Sequence, residues 1–120
     1  MTLERELKYK IVGSILIIKF IGEINFFLHD EYEKLLNENA GKYKNLIIDM
    51  TRVTYINSTG VDILFSISKK ADIRIIGPKS KFICSVFRAL KLDKVMGVYG
   101  SLNDAIDSIV NTSNSGGIDP

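Results

Sequence analysis

What the sequence lacks narrows its chemistry before any motif is read. It holds one cysteine, Cys84, and one histidine, His29. A lone cysteine allows no intramolecular disulfide and no CxxC pair for redox work or zinc. Cys84 sits among Phe82, Ile83, Val86 and Phe87 in an apolar helical pattern, the setting of a packed structural thiol. One histidine and one cysteine supply no metal-ligand cluster, and Asp49 and Asp62 are two scattered acids. A hydrolase triad needs a histidine base beside its nucleophile. His29 instead falls in a helical pattern next to Asp30 and Glu31, where a solvated surface histidine is the common outcome. No GxxxxGK[ST] phosphate loop is present, so no cofactor and no enzymatic activity are expected. The formal net charge of +2 is too small to argue for a nucleic-acid or anionic-membrane partner. No apolar run approaches the roughly 18 to 20 residues of a membrane helix. The opening MTLERELKYK lacks the basic start and apolar stretch of a secretory signal, so the reading is a cytoplasmic protein.

What remains is one domain. A chain of 120 residues supports a single core, and 46% hydrophobic with 25% charged residues matches ordinary soluble usage. In TLERELKYKIV, Leu3, Leu7, Tyr9 and Ile11 alternate with charged residues, the pattern of a half-buried strand. Gly13-Ser14 then links it to ILIIKFI, a type II′ hairpin signal leading to a strand nearer the sheet centre. Leu28, Tyr32, Leu35 and Leu36 predict an amphipathic helix ending near Gly41. NLIIDM reads as a buried strand, STGVDILFSISKK as a helix, and DIRIIG as a strand. A helix after Pro78, a short strand at DKVMGVY and a last helix from Ser101, capped with Asp104, complete the order. The expected fold is α/β, a mixed sheet packed with about four helices. The domain is placed at residues 1–111, with 112–120 as a flexible polar tail.

The stretch TYINSTGVDIL carries the distinctive chemistry. It begins as a strand, ends as a helix, and places Asn57, Ser58, Thr59 and Gly60 between the two. Ser58 and Thr59 suit helix capping, and one of them is expected to cap. Capping by one does not prevent modification of the other, because a phosphoryl group at a helix N-terminus meets free N–H groups and the positive end of the dipole. In the helix, Val61, Leu64, Phe65 and Ser68 define a core stripe, which Ile63 and Ile67 widen. Those two isoleucines either touch a neighbouring helix at the core edge or stay exposed beside Ser58 as a docking surface. Spacing alone favours the first.

The run DMTRVTYINSTGVDIL resembles the signature of the STAS domain family, whose single-domain bacterial members are anti-sigma factor antagonists. GEIN, LIIDMT, RIIGPKSKF, LKLDKV and VYGSLNDAI follow in the family's order, so the resemblance covers most of residues 4 to 110. It implies that an anti-sigma factor with serine kinase activity is the partner and that Ser58 is its phosphoacceptor. The unphosphorylated antagonist would bind that factor and free its sigma factor; phosphorylation would abolish binding. The implied contact positions are Asn57, Ser58, Thr59 and Gly60 with the surrounding helix face, which takes in Asp62, Ile63 and Ile67. Two positions depart from the family pattern. Asn57 stands where aspartate is usual, and Asp62 replaces a small residue, which moves a negative charge from before the serine to the first helical turn. The family also holds scaffolding and transport modules, so a sensor or scaffold that binds a small ligand or nucleotide without phosphorylation is the other reading. An apolar helix rim suits either a heterologous partner or a homodimer contact.

Overall fold

The computed structural model describes the backbone of residues 5–24, 34, 38, 39 and 41–118. Strands β1 (Arg5–Val12), β2 (Ile15–Ile24), β3 (Asn45–Ile56), β4 (Asp72–Ile76) and β5 (Gly97–Tyr99) form one sheet in that spatial order. The helices are α1 (Ser58–Ser68), α2 (Lys81–Ala89), the short α3 (Leu92–Val95) and α4 (Leu102–Ile118). β1 and β2 are antiparallel, and every later pairing is parallel, so the sheet is mixed as the hairpin and the strand–helix alternation predict.

Apolar residues on both sides of the central strands sort the helices into two layers. Leu16, Ile18, Phe20, Leu46, Ile48, Met50, Ile73 and Ile75 face one way, and α1, α2 and α3 cover them with Val61, Leu64, Ile67, Ile83, Phe87 and Leu92. Ile15, Ile17, Ile47 and Ile76 face the other way, against Ala105 and Ile109 of α4. The near-continuous apolar run of β2 has its reason here, since an interior strand is buried on both faces.

The hairpin follows its sequence signal. Val12 pairs with Ile15 across Gly13-Ser14. Gly13 has φ +61°, and Lys91 is the sole non-glycine with positive φ among the described residues, so Ser14 keeps a negative φ. Positive then negative φ is the type II′ arrangement.

Several expectations shift. Of β1, Tyr9, Ile11 and Val12 are exposed rather than half-buried, because the strand lies at the sheet edge. The expected strand at DKVMGVY is α3 followed by a strand reduced to Gly97–Tyr99. One helical turn brings Leu92 and Met96 to the same side, and both are buried. The α4 backbone runs past residue 111 to Ile118. Its start is as read, with Ser101 Oγ accepting from the Asp104 N–H at 3.1 Å. The amphipathic helix expected around Leu28–Leu36, including His29, lies outside the described residues apart from position 34, which is helical.

The hairpin gives the first prediction. No atom lies within 4 Å of a Cβ built on Gly13, so a side chain there meets strain and not a clash. Gly13→Ala should lower unfolding stability by about 1–2 kcal/mol, read as a lower urea midpoint at unchanged m-value.

Candidate functional site

The site grows out of the carboxyl end of β3. Lys19 pairs with Asp49 but Ile21 with Arg52, and Gly22 pairs with Val53 but Glu23 with Tyr55. Each step inserts one extra residue into β3, which makes two bulges. The buried residues then recur every third position, at Met50, Val53 and Ile56, in place of the period of two. Arg52, Thr54 and Tyr55 are turned to the surface as a result.

Beyond Ile56 the chain passes from strand to helix at Asn57, whose backbone is extended (φ −99°, ψ 178°). The Asn57 side chain is the cap: the Gly60 N–H donates to Asn57 Oδ1 at 2.9 Å. The Val61 N–H donates to the Asn57 carbonyl at 3.1 Å, the first turn of the helix. This corrects the expectation that Ser58 or Thr59 caps. Both lie inside the first helical turn, where their backbone N–H groups have no intrahelical acceptor. Ser58 is exposed, Thr59 half-buried and Gly60 buried.

Burial agrees with the reading of Ile63 and Ile67 that spacing favours, a place in the core and not in a docking rim. Ile63 is 6% exposed and Ile67 fully buried, and both belong to the main core with Val61 and Leu64. Phe65 and Ser68 are half-buried, so the core stripe is centred on Gly60, Val61, Ile63, Leu64 and Ile67. Ile63 and Ile67 therefore offer no exposed surface beside Ser58; they face the sheet because α1 lies flat on it. Asp62 is exposed, and it stands one turn beyond Ser58 and not in the first turn, which holds no acidic residue. At a separation of four residues, Ser58 and Asp62 are neighbours on one helix surface.

Two features beside this helix start escaped the sequence reading. Tyr55 and Phe82 stack with ring centroids 5.8 Å apart and planes 3° from parallel, while remaining 42% and 50% exposed. The pair joins the end of β3 to the start of α2. A signal was present for Phe82, since the buried positions of α2 are Ile83 and Phe87 and position 82 falls off that stripe. Next to them, an open cavity of about 590 Å³ is lined by Glu23, Thr51, Arg52, Thr54, Lys79 and Ser80, among others. It sits at the carboxyl ends of parallel strands, where α/β sheets hold ligands.

The STAS domain family model matches residues 6–105. This chain belongs to the STAS domain family. The STAS fold is also seen in solved structures. An anti-sigma factor antagonist from Mycobacterium paratuberculosis has a TM-score of 0.74 at 20% identity, with 88% of this chain and 93% of that chain covered. The anti-sigma factor antagonist SpoIIAA in its unphosphorylated form gives 0.77 at 17% identity over 88% and 97%. The SulP transporter STAS domain from Vibrio cholerae gives 0.67 at 14% identity over 88% of each. Likeness at these identities is likeness of fold. No curated protein matches the sequence.

Within this STAS domain the residues singled out by sequence divide cleanly. Asn57, Ser58, Thr59 and Asp62 are at or near the surface of the α1 start, while Gly60, Ile63 and Ile67 support it from beneath. Asp49 and Asp62 are not brought together: Asp49 lies on β3, its Oδ1 accepting from the Thr51 N–H (2.9 Å) and hydroxyl (2.7 Å). No group of three or more potential metal ligands occurs among the described residues. Cys84 is half-buried, its thiol donating to the Pro78 carbonyl at 3.2 Å, a structural role.

The cap and the buried isoleucine can be checked together. Asn57→Ala should cost about 0.5–2 kcal/mol and Asn57→Asp much less, since aspartate keeps an accepting oxygen. Ile67→Lys should abolish cooperative melting or lower the melting temperature sharply, because it buries an unpaired charge. A fully folded Ile67→Lys protein would mean that α1 does not lie on the sheet as described.

Proposed function

We propose that this STAS domain is a cytoplasmic anti-sigma factor antagonist. It binds an anti-sigma factor that has serine kinase activity, so releasing the sigma factor, and phosphorylation of Ser58 switches it off. The observation that carries the reading is the division of labour at the α1 start: Asn57 supplies the cap, leaving the exposed Ser58 out of that role. Phosphorylation would then add about −1.5 to −2 charge where two backbone N–H groups and the helix dipole tolerate it, so the fold survives while the surface changes. The family membership supports the same reading, as does the fold shared with SpoIIAA, which is also known in a phosphorylated form. The domain needs no catalytic residue or cofactor of its own for this role, and no helix among the described residues is long and apolar enough to cross a membrane.

With Ile63 and Ile67 in the core, the apolar contact passes to the stacked Tyr55–Phe82 pair. Aromatic side chains that are already ordered lose little entropy on docking and are frequent anchors of interfaces. A kinase that approaches Ser58 also meets Asp62 one turn away, whose charge opposes the phosphate formed.

The test uses the anti-sigma kinase and ATP. Wild type should take up one phosphoryl group and Ser58→Ala none; equal labelling of both would move the acceptor, with Thr59 the next residue to change. Asp62→Asn should raise the phosphorylation rate, more so at low salt where an exposed pair is poorly screened. Phe82→Ala should weaken partner binding by about tenfold or more, or about 1.4 kcal/mol, at nearly unchanged melting temperature. Normal binding by Phe82→Ala would place the contact elsewhere.

The cavity beside Arg52 and Lys79 favours a second reading, a sensor or scaffold that binds a small ligand or nucleotide without phosphorylation. Nucleotide that raises the melting temperature of wild type, but not of an Arg52→Gln, Lys79→Gln double variant, would support it.

A further inference from the structure

β1 is the terminal strand of the sheet, so β2 pairs one of its edges and no strand among the described residues pairs the other. Tyr9, Ile11 and Val12 are 63%, 52% and 43% exposed, and Lys8 and Lys10 between them are exposed as well. The hairpin fixes which backbone groups face outward. In a two-residue hairpin the flanking residues, here Val12 and Ile15, exchange hydrogen bonds, and hydrogen-bonded pairs then alternate with non-bonded ones along the ladder. Lys10, Lys8 and Glu6 therefore bond to β2, while Ile11, Tyr9, Leu7 and Arg5 direct their N–H and C=O groups away from the sheet. An open edge of this kind is a template for another strand. With Ile63 and Ile67 buried, this edge and not the rim of α1 is where a second copy of the chain can add.

Symmetry limits how two such edges meet. Copies joined antiparallel through β1 are related by a twofold axis perpendicular to the sheet, which leaves each face on its own side. Opposed residues then share a face, so odd positions meet odd and even meet even. Charge decides among the registers that remain. A pairing centred on Glu6 opposes two glutamates; one centred on Lys8 or Lys10 opposes two lysines at the axis; one centred on Tyr9 opposes Lys8 and Lys10 twice. Centred on Leu7, the pairing sets Glu6 of each copy opposite Lys8 of the other, and Arg5 opposite Tyr9. Of the registers centred from Glu6 to Lys10, only this one opposes no like charges. Lysine on an edge strand ordinarily deters pairing, and here the glutamate two positions before Lys8 turns that deterrent into a choice of register.

We propose that the chain self-associates through β1, two copies adding edge to edge in the antiparallel register centred on Leu7, so that the five strands of each join in one continuous sheet. The contact is narrow, one strand from each copy, which makes the association weak and reversible. Ser58 follows β3, and β2 lies between β3 and this edge, so the self-contact is separate from the proposed switch.

Sedimentation velocity of the whole chain over a concentration series is the test. Wild type should pass from monomer to dimer and no further, because pairing uses up the edge, and the dimer should weaken at high salt. Glu6→Lys alone and Lys8→Glu alone should each raise the dimer dissociation constant about tenfold or more. An equimolar mixture of the two variants should restore the wild-type affinity, since each copy then offers the charge that the other lacks. Hydrogen exchange at the Leu7 and Tyr9 amides should slow as the concentration rises. A wild type that stays monomeric at millimolar concentration, a mixture that associates no better than either variant alone, or species larger than a dimer would overturn the proposal. So would protection of those two amides that does not depend on concentration, which would mean that the chain covers its own edge.

Discussion

Strand β3 is buried on both faces, and the rest of the architecture follows from that constraint. Leu46, Ile47 and Ile48 each have no exposed surface, although successive side chains point to opposite sides of the sheet. A strand of this kind is stable only with a paired strand on each edge and a helical layer on each face. β2 and β4 supply the edges. α1, α2 and α3 supply one layer and α4 the other. The chain must then leave β3 at its carboxyl end, above the sheet, and start a helix there at once. The two bulges end the regular register, Asn57 closes the first turn, and Ser58 is carried to the surface because Gly60, Val61, Ile63, Leu64 and Ile67 beneath it are held down.

The two layers are anchored differently. The α1 side relies on close-packed aliphatic side chains, and a change of volume there is felt directly at the start of α1. The α4 side carries a polar tie within its apolar contact: Arg74 on β4 donates through Nε to Ser108 Oγ (2.6 Å) on α4 and through Nη1 to Asn45 Oδ1 (3.1 Å) on β3. Two of its N–H groups are thereby paired while the residue is half-buried, and they tie the helix to two strands. No buried side-chain nitrogen or oxygen among the described residues lacks a hydrogen-bond partner.

The fold was legible where periodicity and turn chemistry act locally. Gly13-Ser14 between two apolar runs specified the hairpin, and NLIIDM announced a strand buried on both sides. The start of α1 was legible as a place, since strand and helix periods meet at INSTG, yet its cap was not. Asn57, Ser58 and Thr59 can all accept a backbone N–H, and only the backbone angles at Asn57 decide among them. The face of α1 was ambiguous for a related reason: at about 100° per residue Phe65 lies on the opposite side of the helix from Ile63 and Ile67, so apolar residues run nearly all the way round, and the surface that α1 lies on selects the arc from Val61 through Leu64 and Ile67 to Ile63. The Tyr55–Phe82 stack joins residues far apart in sequence. Bulges shift which β3 side chains point outward, and no local pattern announces them.

The central claim is that Ser58 is displayed for phosphorylation while a neighbour closes the helix. The most direct measurement is the intact mass of the protein purified from its native cell, with the modified residue located by fragmentation. The account predicts a population carrying one phosphoryl group on Ser58 beside an unmodified one. A phosphoryl group confined to another residue, or none under any growth condition in which the protein is made, would contradict it.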